Sequence, residues 1–479
     1  MVFQKIRRYI SVVLAILSVI ALSSCTFNFR TEVINPTPPV DDNGGNFVNV
    51  SKNPDVNYVY DLLDKNYYLP LPLDLTKIND VETLLSYTDP YTFIYEVDSR
   101  SIDKDENYGG IGITIVNHDD GLMITDLNFG VEALIGLVYP GDIITKVEGV
   151  SLAGIGFEAK TVLLKGEVGT TKNVQIKRGN GLVDVTLSLI EVPFKSVTYE
   201  LFEDGSSKIG YIRINRFSGE TAEKFSEALL NLKTSNMEKL LIDVRDNGGG
   251  YLSAVVDILM NFVYGEDAFL FIENVKDNQT DEYKPKEDSE KAPYDILVLT
   301  NGNSASASEV LAGTLRQYDY KLFGETTYGK DVYQYGIRLT KINPNYILNV
   351  TAGYWKLKDK SRVIGGLVPD IYSPQTGIHT YEKPIINRVF NKGESHPLIG
   401  LYQMILANYK PTYYQEGYFD DATVELVTHY QTVKDGLTVT GILDIETQLY
   451  LYQDYYNMMV NHLHDTQLMQ ALAYLGGKS

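Results

Sequence analysis

Ser306, Lys330 and Gln334 are the residues whose types and spacing could do chemistry. Ser306 lies in the run Asn301-Gly302-Asn303-Ser304-Ala305-Ser306-Ala307-Ser308, just after Ile296-Leu297-Val298-Leu299, an apolar run of buried-strand type. A helical pattern follows, with Val310, Leu311, Thr314 and Leu315 on one face. The serine cluster therefore falls where a strand hands over to a helix. A serine hydroxyl is a poor nucleophile until a neighbouring base removes its proton. A helix start helps, because its unpaired N–H groups favour developing negative charge. The chain has 6 histidines, and none lies in a glycine- or serine-rich motif of this kind. A lysine held away from water loses its proton more easily and is the other available base. Lys330, in Tyr328-Gly329-Lys330, follows Ser306 by twenty-four residues. Gln334, four residues on in an extended segment, would share a side of the strand with Lys330 and could hold its amine by hydrogen bonding.

A third stretch lies upstream, where the buried strand Lys239-Leu240-Leu241-Ile242-Asp243 runs into Val244-Arg245-Asp246-Asn247-Gly248-Gly249-Gly250. Glycines there let backbone N–H groups approach a ligand, as an oxyanion hole requires. Each piece also has a plainer meaning. Ser306-Ala307-Ser308-Glu309 spells a capping box, with Ser306 as N-cap and Glu309 at the third helical position. Gly329-Lys330 is a common hairpin corner, and the glycine run is a common strand-to-helix turn. The combination of the three is what favours chemistry.

The segments LIDVRDNGGG, SASASEV and TTYGKDVYQ resemble those of the carboxyl-terminal processing, or tail-specific, proteases. That family consists of serine–lysine peptidases with an inserted PDZ domain. The resemblance implies Ser306 as nucleophile, Lys330 as general base and Gln334 as its partner. It implies an oxyanion hole from Gly249 or Gly250 with Ala307. Two residues depart from the family motif: Tyr328 replaces a phenylalanine, and Asp331 replaces the glycine after the lysine. The serine–lysine gap is also one residue shorter, a difference assigned to the loop near Tyr318–Lys321. A carboxylate at Asp331 would raise the pKa of Lys330 if it faced inward.

The chain has 479 residues, enough for about three domains, and 44% apolar residues, ample for packed cores. A net charge of −20 argues against a nucleic-acid partner, which would call for a basic patch. No H-E-x-x-H or other ligand cluster is present, so neither a metal nor another cofactor is expected. The single cysteine, Cys25, excludes an intrachain disulfide. It follows a basic start (Lys5, Arg7, Arg8), an apolar core from Tyr9 to Leu22 and Ser23-Ser24. This is a secretory signal, and its end resembles a bacterial lipobox. The resemblance implies cleavage before Cys25, lipidation of that residue, and anchoring to the outer face of the cell membrane; the alternative, an uncleaved N-terminal membrane anchor, is disfavoured because the apolar stretch is short for a span.

The expected organisation is a layered α/β protease core (α+β multidomain) with an inserted PDZ domain and a small C-terminal helical domain. Residues 1–24 are the signal peptide and 25–49 a Pro- and Gly-containing tether. Residues 50–107 form a helical N-terminal region that ends at Thr88-Asp89-Pro90-Tyr91-Thr92, and in the family this region contributes to dimer contacts, so a homodimer is admitted. Residues 108–192 resemble a PDZ domain. Gly110, Ile111, Gly112 and Ile113 begin its peptide-binding edge, and the run Pro140-Gly141-Asp142-Ile143 matches the family's. Such a groove takes a protein or peptide C-terminal tail as an added strand. Residues 193–376 are the catalytic core, in which Glu273 to Lys291 is expected to be an exposed charged loop. Residues 381–479 resemble a peptidoglycan-binding-like domain, which would add cell wall as a partner, with one last helix from Tyr455 to Leu475. The function implied is a secreted, membrane-tethered serine endopeptidase that cuts protein tails. The competing reading is a non-catalytic adaptor binding peptide tails and cell wall. A wall hydrolase is disfavoured, because no paired acids or zinc ligands accompany the C-terminal segment.

Overall fold

Leu240-Leu241-Ile242 and Ile296-Leu297-Val298-Leu299 are apolar without alternation, as expected of parallel strands covered on both faces. The computed structural model describes residues 49–96, 109–127, 137–154, 157–191, 195–204 and 207–477. Cys25, the signal peptide and nearly all of the tether lie outside them. The described residues divide into two units, one of residues 49–96, 195–373 and 471–477, the other of residues 109–191 and 374–470.

In the first unit the two apolar runs are central strands of a 6-stranded sheet. Its order is Val197–Asp204, Ser207–Ile214, Lys239–Asp243, Asp295–Thr300, Lys321–Gly324 and Ile371–Tyr372. The first pair is antiparallel and the others are parallel. Helices Thr221–Thr234, Leu252–Leu259 and Ala307–Gln317 bury Phe225, Leu229, Val255, Leu259, Leu311 and Leu315 in one core with Ile242 and Val298. In the parallel part, the chain leaves adjacent strands at one common end, where open α/β sheets place their ligands. The turns at residues 244–250 and 301–306 both leave from that end.

The second sheet of this unit is antiparallel and centres on Tyr346–Leu357, paired with Phe93–Glu96, Leu270–Asn274 and Val332–Arg338. Helix Pro54–Asn66 buries Val56, Val59 and Leu63 with Leu348 and Val350 of this strand. Asn53 caps that helix, accepting from the Asp55 N–H, and proline opens it. The charged stretch expected as a loop from Glu273 to Lys291 is in part a hairpin. Gln279–Tyr283 pairs with Leu270–Asn274, and Asn278 turns the corner with φ 50°.

In the second unit, Ile113–His118, Gly121–Leu127, Ile143–Val147, Thr171–Arg178 and Gly181–Ser188 form an antiparallel sheet in that order. Helices Pro397–Ala407, Asp421–Val433 and Ile445–Val460 belong to the same unit. Ile124, Ile144 and Leu187 of the sheet share a single apolar cluster with Phe390, Tyr402, Leu426 and Tyr452. The Ile386 N–H also donates to the Pro140 carbonyl at 2.8 Å. The last helix expected from Tyr455 to Leu475 is two. Helix Ile445–Val460 stops at Asn461, whose side chain accepts from the Leu463 N–H, and Thr466–Gly476 follows a short turn at His462–His464.

Candidate active site

The strand Asp295–Thr300 ends in a turn that is sewn to the glycine turn. The Ser304 hydroxyl donates to the Val244 carbonyl, the Ala305 N–H to the Asn247 carbonyl and the Ser308 hydroxyl to that same carbonyl. Asn301 and Asn303 both donate to Asp246. Asp243 is fully buried and is met by Arg245 at 2.7 Å, Arg213 at 3.2 Å and Tyr211 at 2.8 Å. Burial pushes this carboxyl up, but the two guanidiniums outweigh it and hold the group below the ordinary carboxylate range. Asp243 and Arg245 thus anchor the glycine turn from beneath.

Ser306 is the N-cap of helix Ala307–Gln317, with φ 57° and ψ −114°. A non-glycine residue at positive φ is held there by its surroundings at a cost of about 1–3 kcal/mol, and such strain clusters at functional sites. Its carbonyl accepts from the Glu309 and Val310 N–H groups. The expected capping box of Ser306 and Glu309 is present, and the Glu309 carboxylate accepts from the Ser306 N–H at 2.8 Å.

Glu309 does more than cap. Its Oε2 accepts from Ser306 N and Lys330 N, each at 2.8 Å, and its Oε1 from Gly329 N and the Thr327 hydroxyl, each at 2.6 Å. One fully buried carboxylate therefore joins the backbone of Ser306 to the backbone of Lys330. Burial pushes this carboxyl above its ordinary range, while the four donors pull the other way. The Lys330 loop is fixed further by Trp355, whose Nε1–H donates to the Lys330 carbonyl at 3.1 Å.

The Lys330 side chain is half-buried. Nζ sits 4.4 Å from the ring centroid of Tyr91, and burial lowers its pKa from 10.5 to about 8 against the opposing pull of Asp89 and then Glu309. Nζ makes no hydrogen bond to Ser306 Oγ or to Gln334. Asp331 faces away: its Oδ2 accepts from Arg362 Nε at 2.6 Å. The condition under which Asp331 would have raised the pKa of Lys330 is therefore not met.

Gln334 pairs with Thr351 across the antiparallel ladder, beyond a register shift between Tyr333 and Gln334. That shift, together with a strand that begins only at Val332, breaks the simple alternation that would have aligned Gln334 with Lys330. Its Nε2 is buried without a hydrogen-bond partner.

The glycines lie against the serine. Gly249 has φ 107°, and a Cβ there would come 2.9 Å from the Ser306 Cβ. Its N–H is taken by the Asn247 side chain at 2.9 Å. Gly250, at φ 143°, forms a parallel bridge with Phe217. The bridge uses the Gly249 carbonyl and the Tyr251 N–H, which leaves the Gly250 N–H unengaged among the described residues. Ala307, first in its helix, likewise has no carbonyl one turn back to bond.

In the second unit, Gly110 pairs with Ile190, Ile111 is buried and Gly112 takes φ 81°. Ile113 begins the strand Ile113–His118, which lies at the end of its sheet. No group of three or more histidine, cysteine, aspartate or glutamate side chains suited to a metal ion occurs among the described residues.

Residues 208–373, the span holding Ser306, the glycine turn and Lys330, match the model of peptidase family S41. A CtpA-like serine protease of Staphylococcus aureus (strain MRSA252) is 27% identical over 400 residues, covering 82% of this chain and 79% of the relative. The carboxy-terminal processing protease CtpB of Bacillus subtilis (strain 168) is 26% identical over 432 residues, 88% of each chain. Among solved structures, a photosystem II D1 C-terminal processing protease aligns with 67% of this chain and 92% of its own, at 21% identity and a TM-score of 0.42. The S41 match begins at Lys208 and so leaves out Asp89 and Tyr91, which the fold nevertheless brings to Lys330. Sequence reasoning noted the Thr88–Thr92 segment only as the end of a helical region. Nothing in its spacing from Lys330 could have revealed the contact.

Proposed function

We propose that this chain is an S41-type serine endopeptidase in which Ser306 attacks and Lys330 serves as general base. The observation that carries the proposal is the Glu309 carboxylate bonded at 2.8 Å to the backbone N–H of both residues. It fixes the nucleophile's backbone and the base's backbone to one atom, Oε2. An amine with a pKa near 8 is also neutral in a useful fraction at physiological pH, as a base must be.

In the first step Lys330 Nζ leaves the Tyr91 ring and takes the proton from Ser306 Oγ as Oγ bonds to the scissile carbonyl carbon. The carbonyl π electrons move onto oxygen, where the N–H groups of Ala307 and Gly250 are available to hold the charge. The C–N bond then breaks while the Lys330 ammonium returns the proton to the leaving nitrogen. Water, deprotonated by the same amine, cleaves the resulting ester. The Gly249 N–H, already bonded to Asn247, serves by letting Ser306 approach rather than by donating.

Substrate tails would add to the free side of Ile113–His118 as an extra strand. Lipid on Cys25 would tether the enzyme outside the membrane, and the segment 381–479 would bring it to peptidoglycan. The decisive experiment is cleavage of an unfolded reporter by the full chain, comparing wild type with Ser306→Ala and Lys330→Ala. Cleavage by wild type alone is expected. Equal cleavage by all three, or by none, would favour the non-catalytic adaptor.

A further inference from the structure

Two polar groups near the proposed base lack the partners that buried groups normally have. Asp89 Oδ2 and Gln334 Nε2 are buried with no hydrogen bond, and Lys330 Nζ rests on the face of Tyr91. Most buried polar atoms are satisfied, so such orphans call for a reason. The two orphans and Lys330 are related in space. Gln334 stands opposite Thr351 in the ladder, and the Thr351 hydroxyl donates to Asp89 Oδ1 at 3.1 Å. Asp89 Oδ1 also accepts from the Tyr91 N–H at 3.0 Å, which sets the ring on which Lys330 rests. One carboxylate oxygen is thus committed to the backbone and to Thr351, while the other is held in reserve. Keeping a desolvated carboxylate oxygen unpaired is costly unless a cation comes to it at some stage.

We propose that Asp89 is the positioning residue for the base: its Oδ2 receives the Lys330 ammonium formed when Ser306 gives up its proton. This rests on Lys330 being the base. The reaction creates a cation at Nζ in a half-buried site, and a pre-placed anion stabilises that cation without reorganisation. Of the two carboxylates that act on Lys330, Asp89 has the stronger influence, and Glu309 has all its contacts taken by backbone and Thr327. Asp331 is bound to Arg362, and the guanidinium of Arg362 lies over the Tyr354 ring. The remaining titratable groups facing the site are phenols. Tyr91 and Tyr67 stay neutral, since burial pushes both well above 10, and Tyr68 is pushed up to about 12.

The test uses the full chain and a fluorogenic peptide reporter, with kcat/KM followed from pH 6 to 10. Asp89→Asn keeps the Oδ1 acceptor and removes only the charge. Asp89→Ser is carried in parallel in case the first variant folds poorly. Thr351→Val breaks the bond to Oδ1 but leaves the carboxylate. Wild type should gain activity through a midpoint near 8, where Lys330 becomes neutral. Without the Asp89 charge the midpoint should fall, because the amine then loses its proton more easily. The high-pH plateau should drop by roughly tenfold or more, because the ammonium goes unsupported. Thr351→Val should keep the wild-type midpoint. If both Asp89 variants fold and retain the wild-type midpoint and plateau, the inference is wrong. If plateaus drop with midpoints unmoved in the Asp89 and Thr351 variants alike, Asp89 merely holds the Thr88–Thr92 turn. If Lys330→Ala proves as active as wild type, the failure is of the catalytic proposal instead.

Discussion

Replacing the proposed base should stabilise the protein at neutral pH while abolishing its activity. A fall in the Lys330 pKa from 10.5 to about 8 corresponds to about 3 kcal/mol by which the folded state disfavours the charged amine. The cation–π contact with Tyr91 returns about 1 kcal/mol of that. Lys330→Met keeps an unbranched chain of similar length and removes the charge, so about 2 kcal/mol of stabilisation is expected at pH 7. Below about pH 8 the amine is protonated in folded and unfolded chains alike, and the wild-type fold carries the full cost of burying it. Between about 8 and 10.5 the unfolded chain binds the proton and the folded one does not, so wild-type stability rises with pH. Above 10.5 both states are neutral and the advantage of the methionine variant should vanish.

Trp355 is the chain's only tryptophan, and its indole N–H bonds the Lys330 carbonyl. Its fluorescence during urea unfolding therefore reports the unit that holds the site, even if the other unit melts separately. The measurement is the difference in unfolding free energy between wild type and Lys330→Met at pH 7, 8, 9 and 10. A variant no more stable than wild type at pH 7 would show that the amine is not desolvated as argued. So would a difference that does not shrink as pH rises.

Two further substitutions probe the frame around the dyad. Glu309→Gln would turn an NH2 group toward N–H or hydroxyl donors that now meet a carboxylate oxygen. About 3–5 kcal/mol of Trp355-reported stability and at least a hundredfold in kcat should be lost together; near-normal values of both would refute the cross-brace. Gly249→Ala places a methyl 2.9 Å from the Ser306 Cβ at a backbone φ of 107°. Reaction with a serine-directed fluorophosphonate should fall by about a hundredfold or more, and unchanged labelling would mean the glycine is not needed for the serine's approach.

The parts of the site that are local in sequence were legible there. The apolar runs before Gly248 and Asn301 announce adjacent buried strands, and the turns after them do carry the glycines and Ser306. Lys330 was legible through its glycine corner and its distance from Ser306. Contacts over long sequence separations were not. The Tyr91 ring belongs to a segment some 240 residues before Lys330, and only the pairing of Phe93–Glu96 with Tyr346–Leu357 delivers it. The role of Asp331 turned on which face of the loop it took, and Arg362 decided that. The register of Gln334 was not legible, because the bulge at Tyr333 has no signature in a run of alternating residues. In the second unit, shared burial of Ile144 and Tyr452 is invisible to periodicity, which reads each segment's apolar face but not what covers it.

Glu309 shows why a capping residue could be both correctly identified and underestimated. The N-terminal turn of a helix offers several unpaired N–H groups, and a carboxylate three residues in commonly answers one of them. Here the same carboxylate answers three backbone N–H groups and a hydroxyl, three of the four from residues 327–330. The helix that presents Ser306 and the loop that presents Lys330 are thereby joined through one side chain. The lysine side chain rests on Tyr91 and, as the proposed base, would have to reach Oγ to act. A site built in this way can hold its backbone geometry at rest and still withhold proton transfer until Nζ moves, so its rate should respond to whatever biases that one side chain.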